Sequence, residues 1–178
     1  MALKATISKA ELIIADMNRN YYHSHHLTLA QHPSETDERM LMRLVAFALN
    51  ASADLSFSKG LSSDDEPDIW QKDLTDRIVL WIELGQPDEK RIKKACSRAE
   101  QVIVYCYQPR SVQPWWQKIA SSVRRFDNLQ VVELTVVSDV AIESLLQRSM
   151  QLQCNIQDGS VYLSSAAGEI ELSVNKLL

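Results

Sequence analysis

The sequence predicts an α/β domain: a mixed sheet flanked by helices, with antiparallel β-hairpin additions at both ends. Three observations lead there. Strand-like and helix-like segments alternate between residues 78 and 150. The run 101–107, QVIVYCY, is apolar without alternation, which marks a strand covered on both faces. Asp158-Gly159 separates two alternating segments, a strong signal for a tight hairpin.

The elements follow in order. Residues 5–15 are rich in Ile, Leu and Thr, 16–20 (DMNRN) are turn-like, and 21–30 alternate; together they predict a hairpin. Pro33 and Ser34 open a helix to about Asn50, with Ser34 as N-cap, Asp37 in the reciprocal position and Glu35 in the first turn. Leu41, Leu44, Val45 and Ala48 recur at the spacing of a buried helix face. A short strand at Leu55-Ser56-Phe57 precedes a loop, 59–67, holding Asp64-Asp65-Glu66. Residues 78–84 predict a strand, and Pro87 suits the first turn of a helix to about Glu100. After the 101–107 strand, Pro114 opens a helix carrying Trp115, Trp116, Ile119 and Val123. Residues 129–137 read as a strand, and Ser138 as the cap of a helix to Met150. Segments 151–157, 160–165 and 169–174 complete a β-meander.

A chain of 178 residues is long enough to bury a core as one domain, taken as residues 1–178. Its 46% hydrophobic and 24% charged residues place it among soluble globular proteins. No apolar run is long enough to span a membrane, and the N-terminal residues lack a signal-peptide pattern. Cys96, Cys106 and Cys154 have no short spacing, which predicts reduced thiols in a cytoplasmic protein. Four glycines cannot build a phosphate-cradling loop, and no Gly-x-Ser-x-Gly elbow exists. The net charge of −4 argues against an extended nucleic-acid surface. It leaves room for a local basic groove: Lys90, Arg91, Lys93, Lys94 and Arg98 fall close together, and Arg124-Arg125 follow.

Two acidic motifs stand out. Glu66-Pro67-Asp68 is followed, fourteen residues beyond Asp68, by Glu83-Leu84-Gly85-Gln86, which closes the apolar run 78–82. A Pro-Asp before a strand that ends in an acid resembles the PD-(D/E)XK nuclease active site. Longer strings carry a second resemblance: 32–39 (HPSETDER), 64–68 (DDEPD) and 81–91 (WIELGQPDEKR). They are similar, from end to end of the chain, to the YaeQ proteins, a bacterial family of uncertain function built on that scaffold.

The resemblance implies a Mg²⁺ or Mn²⁺ site. Asp68 matches the Pro-Asp acid, Glu83 the strand acid, and Glu38 the acid of the preceding helix, with Glu35 as second choice. Converging carboxylates are costly unless a cation sits between them. The nuclease motif has a lysine two residues past the strand acid; here that position is Gly85. Gly85 shares a strand face with Glu83, so Gln86 reaches the site only through a bulge. Gln86, or Lys90, Lys93 or Lys94 on the next helix, is expected to replace the lysine. The expected function is metal-dependent cleavage of a phosphodiester in DNA or RNA. The alternative is a scaffold that has lost catalysis and serves as a nucleic-acid or protein-binding regulatory module. Edge strands at both ends allow a monomer or a weak dimer.

Two further features each carry two readings. His23 and His25 share a strand face, as a start of a Zn²⁺ or Ni²⁺ site or as polar positions on an edge strand. Trp115-Trp116, beside Lys118, Arg124 and Arg125, are a base-stacking platform or helix residues of which one packs inward.

Overall fold

The structure is a computed structural model that describes residues 4–59 and 64–178. The chain forms two compact units. The first runs through residue 49 and takes in Val136–Val174; the second comprises Asn50–Thr135 and Asn175–Leu178.

In the first unit, β1 (Thr6–Asp16) and β2 (Tyr21–Gln31) form the expected N-terminal hairpin. The turn between them is held by Asp16, whose carboxylate accepts from the backbone N–H groups of Asn18 and Arg19 at 3.0 and 3.1 Å. Ala10, Leu12 and Ile14 point inward from β1, as the period of two requires. Helix α1 (Asp37–Asn50) buries an unbroken run from Met40 to Ala48. Its cap is Thr36 and not Ser34: Thr36 Oγ1 accepts from Arg39 N–H at 3.1 Å.

Residues 138–150 depart from the expected helix. Only a 3₁₀ turn, Ile142–Leu145, forms before β8 (Ser149–Gln157) begins. Strand pairing overrides local helix preference here. β8 lies parallel to β1, and Lys9 N–H already bonds Arg148 O at 2.8 Å, so residues 148–150 are committed to the sheet. Met150, Leu152, Cys154 and Ile156 alternate inward. β9 (Ser160–Ser165) and β10 (Gly168–Lys176) add the predicted meander, and this unit's strand order is β2-β1-β8-β9-β10.

The second unit has the order β7-β6-β5-β4-β3. β5 (Ile78–Leu84), β6 (Ala99–Cys106) and β7 (Leu129–Val136) are parallel. Helices α2 (Glu89–Arg98) and α3 (Pro109–Val123) supply the two crossovers that parallel pairing needs. Both pack on these strands around Trp81, Ile92, Val104, Val112 and Ile119. Helix α3 begins at Pro109, so Pro114 lies inside it and does not open it. β3 (Leu55–Phe57) and β4 (Ile69–Lys72) extend the sheet antiparallel beyond β5. β4 is four residues long and sits beside the acidic loop, which hides it from periodicity.

Glu35, the second choice for a metal acid, precedes α1 and is 6% exposed. Its Oε2 accepts from Arg43 Nη2 at 2.9 Å, and its Oε1 pairs with Arg39 at 3.3 Å. Removing one partner of a buried ion pair strands the other charge. Arg43→Ala is therefore expected to lower unfolding free energy by about 3–5 kcal/mol in urea titrations. Replacing both partners, Glu35→Leu with Arg43→Met, should recover most of that loss; failure to recover would mean the pair is not the cause.

Candidate functional site: an arginine-clamped carboxylate pair

β4 and β5 bring Asp68 and Glu83 together. Their register pairs Ile69 with Ile82, so the next positions, 68 and 83, face each other. Asp68 N–H donates to Ile82 O at 3.1 Å, and Asp68 Oδ2 accepts from Leu84 N–H at 2.8 Å. Glu83 sits at the carboxyl end of a parallel strand, the end where open α/β sheets place ligand sites. It is 6% exposed and shares its strand face with Trp81, whose Nε1–H donates to Glu83 Oε1 at 2.7 Å.

The cation beside Glu83 is Arg91. Asp88 caps α2 and accepts from Arg91 N–H at 2.7 Å, which places Arg91 in the first turn. The guanidinium then forks. Nε donates to Glu83 Oε1 at 2.9 Å, and Nη2 lies 2.8 Å from the same oxygen. Nη2 also donates to Glu66 O, and Nη1 to Asp64 O, each at 2.6 Å. One side chain thus joins the strand acid to the backbone leading into Pro67-Asp68. Lys94 and Arg98, farther along the same stripe of α2, continue the attachment. Lys94 Nζ donates to Asp64 O at 2.9 Å and to Asp65 Oδ1 at 2.7 Å; Arg98 Nη1 donates to Asp65 O at 3.1 Å.

Burial raises the Glu83 pKa above the ordinary carboxylate value, and the charge of Asp68 raises it further. The Arg91 and Trp81 hydrogen bonds oppose this without cancelling it.

The other expected site residues fall elsewhere. Gly85 has φ +97° and ends β5, its N–H bonded to Tyr105 O at 2.9 Å. Gln86 then turns to α3, donating to Ser111 Oγ at 2.6 Å and Tyr107 O at 3.3 Å. Lys94 is engaged by the acidic loop, as above. Lys90 is exposed and borders a cleft of about 280 Å³ together with Asp64, Asp88, Arg91 and Lys94. Glu38 stands half-buried in the first turn of α1, within the first unit, whereas Asp68 and Glu83 belong to the second. Among the described residues no three His, Cys, Asp or Glu side chains gather closely enough to hold a metal. In the sequence Arg91 is one member of a general basic cluster. The signal that singles it out is Asp88, a capping residue three positions ahead of it.

The histidines and thiols have structural surroundings. Tyr21 Oη lies 2.7 Å from His25 Nε2, and the His25 ring meets Phe47 edge-on at 5.2 Å. Burial, with His23 nearby, lowers the His25 pKa. Burial pushes the thiols of Cys106 and Cys154 up to about 12 and that of Cys96 to about 11, so none is an activated nucleophile.

Two outcomes follow. Folded Glu83 holds its proton more tightly than unfolded Glu83. Its contribution therefore makes stability fall as pH rises from about 4.5 through its folded-state range. Glu83→Gln should remove that part of the slope when urea midpoints are compared across this range; parallel curves would contradict the assignment. A Cβ at Gly85 meets nothing within 4 Å, so Gly85→Ala adds backbone strain alone, about 1–3 kcal/mol.

No helix of the described residues is long and apolar enough to cross a membrane. The family model described as YaeQ protein matches residues 1–174. An uncharacterized protein YaeQ of Escherichia coli K12 is 45% identical over 174 residues, covering 98% of this chain and 96% of its own length. The YaeQ protein of Salmonella typhi is 46% identical over the same length. The crystal structure of YaeQ from Xanthomonas axonopodis pv. citri superposes with a TM-score of 0.91 at 47% identity, covering 97% of this chain and 98% of that one. That from Pseudomonas syringae gives 0.89 at 34% identity, covering 98% and 96%. A whole-length family match, close relatives and the same α/β fold agree: the chain belongs to the YaeQ family.

Proposed function

We propose that the chain is a variant PD-(D/E)XK phosphodiesterase, in which Asp68 and Glu83 hold Mg²⁺ or Mn²⁺ against a phosphate of DNA or RNA. The observation that carries this reading is the facing carboxylate pair, with Asp68 fixed by Leu84 N–H and Glu83 buried opposite it at the carboxyl end of β5. Hard oxygen donors suit these ions, and Mg²⁺ is commonly held by one or two carboxylates together with substrate phosphates. A third protein acid, such as Glu38, is therefore not required.

The ion, when bound, supplies Lewis-acid charge to the phosphate. Asp68 is oriented by Leu84 N–H and by its strand pairing. Trp81 orients Glu83. Arg91 takes the part of the lysine missing at Gly85. Its planar fork suits a phosphate as well as a carboxylate, so it can leave Glu83 for the substrate. Lys90 and Lys94, which border the cleft beside Arg91, would add positive charge for the substrate, whereas Gln86 is held on α3. Free thiols at all three cysteines support a reducing, cytoplasmic location, and nothing in the reading calls for more than a monomer or weak dimer.

A second reading has its own observation in favour. Arg91 already pairs with Glu83, so the acids can persist without metal in a nuclease-like scaffold that only binds nucleic acid or protein. Divalent-ion dependence separates the two. Wild type should cleave labelled oligonucleotides with Mn²⁺ and not with chelator. Asp68→Asn and Glu83→Gln should each reduce the rate by about 10²–10³. Absence of both cleavage and Mn²⁺ binding heat in wild type would overturn the phosphodiesterase reading and leave the binding module.

A further inference from the structure

Helices α2 and α3 border a groove of about 640 Å³, a volume suited to a small ligand or one unit of a polymer. Its apolar wall is Trp115 and Ile119. Trp115 is half-buried, and its ring is fixed: Nε1–H donates to Pro87 O at 2.9 Å, and one side packs on the core of the parallel strands. A fixed indole with an open flank is a stacking surface that costs little entropy to use.

The rim is basic. Lys90, Lys93, Lys118 and Arg125 line the groove against only Asp88 and Glu89, although the whole chain carries −4. Asp88 is occupied as the α2 cap, and Glu89 pairs with Arg125 at 3.3 Å. Among the described residues no ion pair engages Lys90, Lys93 or Lys118. Three exposed ammonium groups around an aromatic wall, on an otherwise acidic molecule, complement a ligand that is both flat and polyanionic.

The groove also leads somewhere. Asp88 and Lys90 border both it and the smaller cleft that holds Arg91, the partner of Glu83. Helix α2 thus divides its basic residues by face. Arg91, Lys94 and Arg98 fasten the acidic loop, while Lys90 and Lys93 look into the groove.

We infer that this groove binds single-stranded nucleic acid, with one base stacked on Trp115 and the backbone passing Lys118, Lys93 and Lys90 toward Arg91. A single strand is required because bases in a duplex keep their faces stacked on each other, whereas a free base offers its face to an aromatic ring. The inference rests on the phosphodiesterase reading for its direction, since the groove delivers the strand to Asp68 and Glu83. It does not rest on that reading for binding itself, which needs no metal.

The test uses the full chain, chelator and fluorescein-labelled 12-mers of oligo-dT and oligo-U, read by anisotropy across a salt series. Expected is metal-independent binding of single strands, with the same oligo-dT annealed to its complement bound more weakly. Trp115→Leu keeps an apolar side chain but cannot stack, and should weaken binding roughly tenfold or more. Lys93→Gln with Lys118→Gln, both at exposed positions, should reduce the slope of log affinity against log salt by roughly 1.4, about 0.7 for each phosphate contact. Failure of wild type to bind, equal affinity for the duplex, or unchanged affinity and salt slope in both groove variants would each overturn the inference. Binding without Mn²⁺-dependent cleavage would leave the groove standing and remove the phosphodiesterase reading. Cleavage that is indifferent to the groove variants would do the reverse. The oligo-dT and oligo-U arms separate DNA from RNA.

Discussion

The contact on which the second unit's chemistry depends is the guanidinium of Arg91. A carboxylate at the end of a buried strand carries a large desolvation cost. Glu83 meets it with two donors, the Trp81 indole and Arg91, and both act on the same oxygen. Arg91 spends its remaining donors on Asp64 O and Glu66 O, two carbonyls of the segment that delivers Pro67-Asp68. The electrostatic requirement of one acid therefore sets the position of the backbone that carries the other. Five donors in a rigid fork make this possible; a lysine could satisfy Glu83 but could not hold two carbonyls with the same geometry.

On the proposed reading, that arrangement takes the place of the motif lysine. A lysine two residues past Glu83 would need the strand to continue, and Gly85, with φ +97°, ends it. The chain turns at once toward Pro87 and the Asp88 cap, and the cation arrives from the helix instead of from the strand. The same turn fixes Trp115, because the indole N–H is satisfied by the Pro87 carbonyl. Strand end, helix cap and aromatic wall are three results of one tight connection between β5 and α2.

Much of this was legible in the chain, and the exceptions have physical reasons. The hairpins, the parallel strands and α1 were readable because their hydrophobic periods are long and uninterrupted, as in the Met40–Ala48 run. That positions 68 and 83 come together was readable because the Pro-Asp and the strand-end acid are sequence features. Residues 138–150 were misread because AIESLL has helical preference, while the parallel pairing of β8 with β1 is a long-range fact. Pro114 was misread as a helix start because a second proline, Pro109, opens the helix a turn and a half earlier. The role of Arg91 was hidden among its basic neighbours, since which face each residue takes follows from the cap at Asp88. The pairing of Glu35, the second choice for the helix acid, with Arg43 eight residues on carries no sequence signal of its own.

The central proposal is that Asp68 and Glu83 would hold a divalent cation, with Arg91 swinging from Glu83 to the substrate phosphate. Anomalous diffraction at the manganese edge, on crystals soaked with MnCl₂ and a phosphorothioate dinucleotide, tests it most directly. The expected map has a manganese peak between the two carboxylates and Arg91 rotated onto the phosphorothioate. A map with no peak there, and with Arg91 still on Glu83, would contradict the claim and leave the pair as a structural clamp.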